Sequence, residues 1–324
     1  MRALVMEREA KNYEGLALRE LPSVDVGAGD VKVRIKASAV NFVDLLMSSG
    51  GYQFRPPLPY TLGSDFAGTV EAVGAGVETF AVGDQVMGMA RGGAFASEIV
   101  VPASTLLPKP DAFSFAEAAA FGQPYLTAYV ALTRHADLKP DDWILVQGAS
   151  GGVGLAAVDL AKRMGAKVIA ASASSEKLKV IDDRYAPDAI LDVSKPFREE
   201  VKRITGRGVD VVYDPVGADI FDESIRCVGF DGRYLIIGFA GGRIPSIEIN
   251  YLLIKGIRLI GVRAGEYGRQ FPDHGTQDRA ALARIAAEGR ASPHVHASFA
   301  LDDWRDAFAA MDLREVIGRV VLTP

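Results

Sequence analysis

The sequence predicts an α/β protein with two domains, one of them β-rich and the other built on a doubly wound parallel sheet. Three observations support this prediction. The chain has 324 residues, 49% of them hydrophobic, which favours two domains with substantial cores. Short Val-rich runs between closely spaced glycines fill its N-terminal third, and strand and helix patterns alternate in its central part.

The N-terminal third has the patterns of β-strands. Residues 31–37 alternate apolar with mostly charged side chains, which indicates a strand with one buried face. Between Gly63 and Met89, glycines separate short runs rich in valine. Closely spaced turns of this kind are typical of a compact antiparallel sheet or a small barrel.

The pattern becomes helical at Ser114, a candidate N-cap with Glu117 at the third helical position. A strand at 143–147, a glycine turn, a helix at 152–164 and a strand from Lys167 then form a βαβ unit. Further strands, which complete a six-stranded sheet, are predicted at 189–191, 209–214, 234–238 and 257–262.

The domain boundaries follow from these patterns. Residues 124–264 are predicted to form one domain inserted into another, which consists of residues 1–123 and 265–324. The chain becomes polar after Ala264 and then has a helix at 279–288 and a last strand at 318–322. We therefore expect the chain to return to the first domain at residue 265.

Composition and charge exclude several classes of protein. With one cysteine, Cys227, the chain has no intramolecular disulfide and no four-cysteine zinc site. The formal net charge of −5 argues against a broad surface for nucleic acid. Acidic residues near Met1 do not fit a signal peptide, and glycine and proline interrupt the longest uncharged stretch, 118–133. We therefore expect a cytoplasmic protein with no membrane partner.

The segment from Val146 to Gly154 is the most informative part of the sequence. It reads V-Q-G-A-S-G-G-V-G and matches G-x-G-x-x-G with Ala149 in the first glycine position. Such a turn between a strand and a helix lets a diphosphate approach the backbone and the helix N-terminus. We therefore predict dinucleotide binding, and the alternative is a plain strand-to-helix turn.

The residues after the second strand of this unit favour NADPH over NADH. An NAD site usually has an acid there, which holds the ribose hydroxyls. This chain instead has small side chains at 170–175, with Ser172 and Ser174 among them, followed by Lys177. Hydroxyl groups and a lysine can bind a 2′-phosphate. The alternative interpretation is that Lys177 is an ordinary exposed lysine on a helix.

Several ordered motifs carry a resemblance to a known family. They are Asn41-Phe-Val-Asp44, Gly63-Ser-Asp-Phe-Ala-Gly68, the glycine turn, Asp214-Pro-Val-Gly217 and Gly318-Arg-Val-Val321. Over essentially its whole length the chain resembles the zinc-independent quinone oxidoreductase branch of the medium-chain dehydrogenase/reductase superfamily. This resemblance implies a GroES-like catalytic domain and a Rossmann NADP-binding domain.

Zinc-dependent alcohol dehydrogenases of the superfamily differ from this chain at their metal ligands. They have Gly-His-Glu where this chain has Gly63-Ser-Asp65. They also have a cysteine ligand near the position of residues 37–41, where this chain has no cysteine. Without a Lewis acid to polarise the oxygen, alcohol oxidation is not expected. The paired His294 and His296 are expected to face solvent, so we predict no metal.

The resemblance also implies the residues of the site. Asn41, Asp44 and Tyr52 would lie at the substrate and nicotinamide cleft as the catalytic set. The cofactor-binding residues would be Thr127, Ala149, Ser150, Gly151, Gly152, Val153, Ser172, Ser174, Lys177, Gly238, Phe239, Ala240, Val262, Ala264 and Arg319. Simpler explanations are helix capping by Asn41 and Asp44, a surface position for Tyr52, and packing of Thr127 within its helix.

The predicted preference for NADP depends on two basic residues, one lysine and one arginine. The resemblance places Arg319 near the adenosine phosphate, in addition to Lys177. Many relatives also have a tyrosine against the 2′-phosphate shortly after the third strand, whereas this chain has Ile190-Leu-Asp-Val193 there. The preference for NADP therefore depends on Lys177 and Arg319.

The function implied by the resemblance is that of a metal-independent NADPH:quinone oxidoreductase. NADPH supplies the hydride, and Asn41, Tyr52 or cofactor hydroxyls are expected to stabilise the charge that develops on the acceptor oxygen. One alternative is reduction of activated C=C bonds in 2-alkenals or enoyl thioesters, where Arg55, Arg91 or Arg263 could contact a coenzyme A group.

A second alternative is a non-catalytic NADPH-binding protein with affinity for RNA, because relatives include lens crystallins. The negative net charge of the chain argues against this alternative, since RNA binding depends on basic residues that neutralise phosphates. The expected partner is a small-molecule quinone or enone, with no nucleic acid. Relatives commonly pair through the cofactor domain, so we expect a homodimer with the strand at 257–262 as the pairing edge.

Overall fold

The structure is a computed structural model that describes all 324 residues. In chain order the strands are β1 (Arg2–Met6), β2 (Leu16–Glu20), β3 (Asp30–Val40), β4 (Tyr60–Thr61), β5 (Asp65–Val73), β6 (Gln85–Met89), β7 (Glu98–Pro102), β8 (Leu106–Pro108), β9 (Trp143–Val146), β10 (Lys167–Ser172), β11 (Ala189–Asp192), β12 (Val209–Asp214), β13 (Val228–Ile236), β14 (Arg258–Gly261), β15 (Val295–Ala300) and β16 (Arg319–Thr323). The α-helices are α1 (Phe42–Ser48), α2 (Phe115–Val130), α3 (Gly152–Arg163), α4 (Ser175–Tyr185), α5 (Arg198–Thr205), α6 (Ala218–Cys227), α7 (Asn250–Lys255), α8 (Ala264–Gln270), α9 (Pro272–Ala287) and α10 (Trp304–Asp312). None of these helices combines the length and the apolar composition that crossing a bilayer requires.

The chain forms two compact units, each with its own sheet. Unit 1 consists of Met1–Gln123 and Pro293–Pro324, and unit 2 consists of Pro124–Ser292. The fold is α/β, with one β-rich unit and one unit built on a doubly wound parallel sheet, as the sequence predicts.

Unit 1 is built around a large sheet in the order β15-β16-β3-β5-β6-β8, with β7 also paired to β3. A second, smaller sheet has the order β2-β1-β4. Val31, Val33 and Ile35 are buried, which confirms the strand predicted from their alternation. The pairing of β3 with β5 contains register shifts between Lys32 and Val33 and between Ile35 and Ala37. Such bulges increase local twist, so the sheet can curve.

The C-terminal segment completes the main sheet and the core of unit 1. Strand β16 pairs antiparallel with β3, with Val320 opposite Val40. Phe308 of α10 packs in one buried cluster with Leu4 and Phe95. Residues from the two ends of the chain are therefore held together by the same apolar core.

Unit 2 has six parallel strands in the order β11-β10-β9-β12-β13-β14. The chain runs outward from β9 to β11 and then crosses to β12 on the other side, so the strand order reverses at β9. Leu145, Val212 and Tyr234 lie in its buried core. In doubly wound sheets ligands bind beyond the carboxyl ends of the strands at such a reversal.

The strands predicted for unit 2 are all observed, with differences at their ends. Strand β13 begins at Val228, earlier than the predicted 234. Helix α9 begins at Pro272, earlier than the predicted 279, because proline is well tolerated in the first turn of a helix. Ser114 and Glu117 form the predicted capping box before α2, with Ser114 N donating to Glu117 Oε2 at 2.9 Å.

The chain returns to unit 1 at Pro293, whereas the sequence places the return at residue 265. Helices α8 and α9 belong to unit 2. Arg134 Nη2 forms an ion pair with the buried Asp278 Oδ1 at 2.8 Å, and Tyr185 OH donates to Ser292 O at 2.6 Å. The polar sequence after Ala264 therefore reflects helices with exposed faces and not a change of domain.

Candidate active site

The glycine turn lies between β9 and α3, where the strand order of unit 2 reverses. Ala149 N donates to Ala171 O at 2.9 Å, which ties the turn to β10. At Gly154 a Cβ would lie 2.2 Å from Gly148 O, so this position accepts only glycine without a backbone shift. No side chain caps α3 at Gly151. The amides of the first turn of α3 are therefore available to an anion such as a diphosphate.

The residues predicted to meet the 2′-phosphate lie between β10 and α4. Ser172 ends β10 and is buried, and Ser174 is the N-cap of α4, where its Oγ accepts from Lys177 N at 3.4 Å. Lys177 lies in the first turn of α4 and is partly exposed. Asp192 is the register partner of Ser172 on the neighbouring strand, and its Oδ1 accepts from Ser194 N. An acid therefore stands one strand away from the predicted phosphate position.

The remaining predicted cofactor residues of unit 2 follow the next two strands. Gly238, Phe239 and Ala240 come after β13, and Ala240 N donates to Pro215 O at 3.0 Å. Val262 comes directly after β14, and Ala264, two residues later, is the first residue of α8. Because parallel strands end at the same edge of the sheet, these residues share an edge with the glycine turn and Ser172. Thr127 lies apart from this edge in sequence, on α2, and is partly exposed.

The predicted catalytic residues Asn41 and Asp44 belong to a polar cluster in unit 1, which we define as Asn41, Asp44, Ser64, Asp65 and Arg319. Asn41 Nδ2 lies 3.1 Å from Ser64 Oγ and 3.0 Å from Asp65 Oδ2. Arg319 Nη2 lies 3.2 Å from the same Asp65 Oδ2, and Asp44 Oδ2 accepts from Asn41 N at 2.8 Å. All of these side chains are buried except that of Ser64, which is partly exposed.

Two buried carboxyl groups share one cation in the polar cluster. Burial raises the pKa of Asp44 to about 7, and the Asn41 amide and the Arg319 charge oppose the rise. Burial also raises the pKa of Asp65, opposed mainly by Arg319, which contacts it directly. Asp65 also accepts from Gln123 N at 3.0 Å. The ionised carboxylate is therefore best held at Asp65, and the proton at Asp44.

The structure places Arg319, which the sequence predicts near the adenosine phosphate, within the polar cluster, and its role toward the phosphate stays a prediction. Arg319 is 6% exposed, forms an ion pair with Asp65 and belongs to unit 1. The reason is the register of β16 on β3: Val320 stands opposite Val40, so Arg319 lies next to Asn41. Because its charge is already matched by buried carboxyl groups, Arg319 is better described as part of the polar cluster.

The simpler explanation for Asn41 and Asp44 also holds. Asn41 is the N-cap residue of α1, and the two residues form a capping box. The helix start therefore fixes the side chains that the resemblance assigns to catalysis. Tyr52 is partly buried against the apolar core of unit 1, and its hydroxyl has no hydrogen-bond partner in the chain.

The arginines considered for a coenzyme A group differ in their surroundings. Arg55 Nη2 donates to Gly50 O at 2.8 Å, and Arg91 lies over the ring of Phe54 at 5.6 Å from its centroid. Arg263 is exposed just before α8. Arg55 and Arg91 both lie in unit 1, and of these two Arg91 has a charge that is not committed to a carbonyl or a carboxylate.

Sequence reasoning missed Asp65 and Ser64 as members of the polar cluster. The motif Gly63-Ser-Asp65 contains both residues, but the sequence alone shows only that it lacks zinc ligands. Nowhere in the chain are three or more His, Cys, Asp or Glu side chains grouped so that they could hold a metal ion. His296 is exposed on β15, as expected, whereas His294, just before this strand, is only partly exposed.

Known protein families match both units. The alcohol dehydrogenase GroES-like domain matches residues 27–111, and the zinc-binding dehydrogenase family matches residues 152–277. A mouse protein, quinone oxidoreductase-like protein 2, is 36% identical over 310 residues, which cover 95% of this chain and 89% of the mouse protein.

Solved structures with the same fold include enzymes of two kinds. Quinone oxidoreductase from Escherichia coli, complexed with NADPH, matches with a TM-score of 0.89 and 28% identity over 100% of both chains. The apo form of JamJ enoyl reductase matches with a TM-score of 0.86 and 26% identity, covering 100% of this chain and 99% of the other.

Proposed function

Because the chain belongs to the medium-chain dehydrogenase/reductase superfamily and is an NAD(P)-dependent oxidoreductase, we propose that it transfers hydride from NADPH to a quinone without a metal. The observation that carries the proposal is the glycine turn at the strand-order reversal of unit 2, with the uncapped N-terminus of α3 behind it. The overall reaction consumes one quinone, one NADPH and one proton, and yields hydroquinone and NADP⁺.

The N-terminus of α3 is the proposed diphosphate site. The positive end of the helix dipole and the free amides both favour a dianionic group there. Gly151 supports this role, since a Cβ at this residue would have one neighbour, Gly148 O at 3.5 Å, and the space in front of the turn is open. The carboxyl edge of the sheet then provides Gly238, Phe239 and Val262 for the nicotinamide half.

The preference for NADPH is proposed to depend on Ser174 and Lys177. No acid ends β10, so nothing on that strand repels a 2′-phosphate. Lys177 lies in the first turn of α4, whose N-cap is Ser174. Asp192 on β11 works in the opposite direction, because its carboxylate would repel a phosphate near Ser172. We therefore expect a clear but limited preference for NADPH over NADH.

The residues of unit 1 are proposed to serve the acceptor. Hydride transfer leaves negative charge on the acceptor oxygen, which hydrogen-bond donors stabilise. The Tyr52 hydroxyl has no partner in the chain and remains a candidate donor. Asn41 is a weaker candidate than the sequence suggests, because its Nδ2 already faces Ser64 and Asp65. Its contribution is to hold the polar cluster in place.

A panel of acceptors tests the proposed function. Purified protein is mixed with NADPH and, separately, with a 1,4-naphthoquinone, a 2-alkenal and an enoyl thioester, while nicotinamide absorbance is followed. We expect the highest turnover with the quinone. Rapid oxidation with only the enoyl thioester would favour the alternative that the enoyl reductase structure suggests, with Arg91 as a candidate contact. No oxidation above the protein-free rate with any acceptor would contradict the proposal.

We further propose that the protein forms a homodimer through the β14 edge of unit 2. Strand β14 is the last of its sheet and has one unpaired edge. Next to it in sequence, helix α7 exposes Leu253 and Ile254, at 84% and 70% of their surface, and Phe230 of β13 is 83% exposed. Large exposed apolar side chains beside an open strand edge are typical of protein interfaces.

A further inference from the structure

We propose that the Ser64 hydroxyl is a catalytic hydrogen-bond donor to the oxygen of the acceptor. This inference rests on the proposed function, since it concerns the oxygen that becomes negative as hydride arrives. It adds a donor that neither Asn41 nor Tyr52 accounts for. Three observations carry it: the rigid position of Ser64, the direction of its hydrogen bond with Asn41, and its exposure.

The backbone around Ser64 is held firmly on both sides. Ala90 N donates to Ser64 O at 2.8 Å, and Ala94 N donates to Gly63 O at 3.0 Å. Gly63 has φ +87, and a Cβ there would lie 2.4 Å from Phe95 Cδ1, so glycine is required. The Ser64 side chain is therefore presented from a loop with little freedom, as a pre-organised donor must be.

The hydrogen bond between Asn41 and Ser64 has a defined direction. A carboxylate only accepts, so the Asn41 side-chain atom that faces Asp65 Oδ2 at 3.0 Å is the amide nitrogen. Two acceptors remain for the second hydrogen of that nitrogen, Ser64 Oγ at 3.1 Å and Ala39 O at 3.5 Å, and the shorter distance directs it to Ser64. Ser64 Oγ is thus an acceptor in this contact, and its own hydrogen is not used in it.

The Ser64 hydrogen has no acceptor within the chain. Asn41 Nδ2 is the one hydrogen-bond partner of Ser64 Oγ. Ser64 is partly exposed, whereas Asn41, Asp65 and Arg319 behind it are buried. The hydroxyl therefore accepts from the interior and donates toward the exposed side, where an acceptor molecule can reach it.

The interior of the polar cluster strengthens this donor. Arg319 and Asp65 are an ion pair, Asp65 accepts from Asn41, and Asn41 donates to Ser64. Hydrogen bonds in a chain polarise one another in a low-dielectric interior, so a hydroxyl that accepts from an amide donates more strongly. The bond to the acceptor tightens as negative charge grows on its oxygen. That oxygen afterwards takes its proton from water, and Ser64 keeps its own.

Two variants at Ser64 and one control test this inference. Ser64→Ala removes the hydroxyl, and Ser64→Cys replaces it by a weak donor of nearly the same shape. Ser49→Ala is the matched control, since the exposed Ser49 donates to Leu46 O at 3.2 Å and lies outside the polar cluster. Melting temperature and the Kd for NADPH are measured for each variant together with kcat.

We expect Ser64→Ala and Ser64→Cys to bind NADPH with the parental Kd. Their kcat for a 2-alkenal should fall by roughly 100- to 1,000-fold, which is the usual effect of removing one hydrogen-bond donor to an oxyanion. The loss should be smaller for a quinone, because its product spreads the charge over a ring. Ser49→Ala should keep the parental kcat. Equal losses with both acceptors, or full activity of either Ser64 variant, would overturn the inference. A parent that is inactive with every acceptor would instead overturn the proposed function.

Discussion

The substitution Asp44→Asn tests the electrostatics of the polar cluster. Burial raises the pKa of Asp44 to about 7 in the folded chain, compared with 3.8 for an unperturbed aspartate. Each unit of pKa difference corresponds to about 1.4 kcal/mol, so the shift is worth on the order of 4 kcal/mol. This energy is the amount by which the free energy of unfolding changes with pH as Asp44 titrates.

The sign of the effect follows from proton linkage. Below pH about 4, Asp44 is protonated in both the folded and the unfolded chain. As pH rises from about 4 to about 7, the unfolded chain loses this proton and the folded chain keeps it. The parent therefore loses stability between about pH 4 and about pH 7. The Asp44→Asn variant does not lose this stability, because asparagine does not titrate. The free energy of unfolding of Asp44→Asn minus that of the parent should rise by up to about 4 kcal/mol between pH 4 and pH 8.

The measurement is urea-induced unfolding of both proteins at several pH values, followed by circular dichroism. Asp84→Asn is the matched control, because Asp84 Oδ2 also accepts an amide three residues earlier, Ala81 N at 2.8 Å, but is exposed. Loss of this exposed side-chain hydrogen bond should not reproduce the rise expected for Asp44→Asn. A constant difference for Asp44→Asn would refute the reasoning, since it would mean that Arg319 keeps the Asp44 carboxyl ionised.

The remaining predictions concern the proposed cofactor site and the dimer. Lys177→Ala should raise the KM for NADPH by roughly tenfold or more, with little change in the KM for NADH, because a charged hydrogen bond to the 2′-phosphate is lost. Lys179→Ala on the same helix is the control. Equal effects of Lys177→Ala on both cofactors would show that the 2′-phosphate is held elsewhere. Gly154→Ala should lower the free energy of unfolding by about 1 to 3 kcal/mol, since its Cβ would lie 2.2 Å from a backbone oxygen. Gly151→Ala should leave unfolding nearly unchanged yet weaken NADPH binding, and calorimetry that finds normal binding would argue against the diphosphate site. Leu253→Glu should convert dimer to monomer in sedimentation, and a monomeric parent would remove the dimer proposal.

The sequence predicts local features of this protein well. The βαβ unit, the glycine turn and the six strands of unit 2 come from short patterns of apolar residues and glycines, so they could be located without the structure. The missing zinc ligands and the superfamily were recognised from motifs in the same way. The roles of the individual cofactor residues remain predictions.

The polar cluster could not be predicted, because it depends on pairing between distant strands. Arg319 reaches Asn41 only through the register of β16 on β3, and a shift by one residue would turn its side chain to the other face. Burial of Asp44 and Asp65 is likewise a property of the assembled core. The return of the chain at Pro293 was missed because the polar faces of α8 and α9 resemble a linker.

An anaerobic single-turnover experiment with NADPH and a 1,4-naphthoquinone tests the central claim most directly. The protein is mixed with one equivalent of each, and NADP⁺ and hydroquinone are quantified. Our account predicts that the two products form together in a one-to-one ratio, with no added metal and in the presence of a chelator. Bound NADPH that stays unoxidised, or oxidation that stops when the chelator is added, would contradict it.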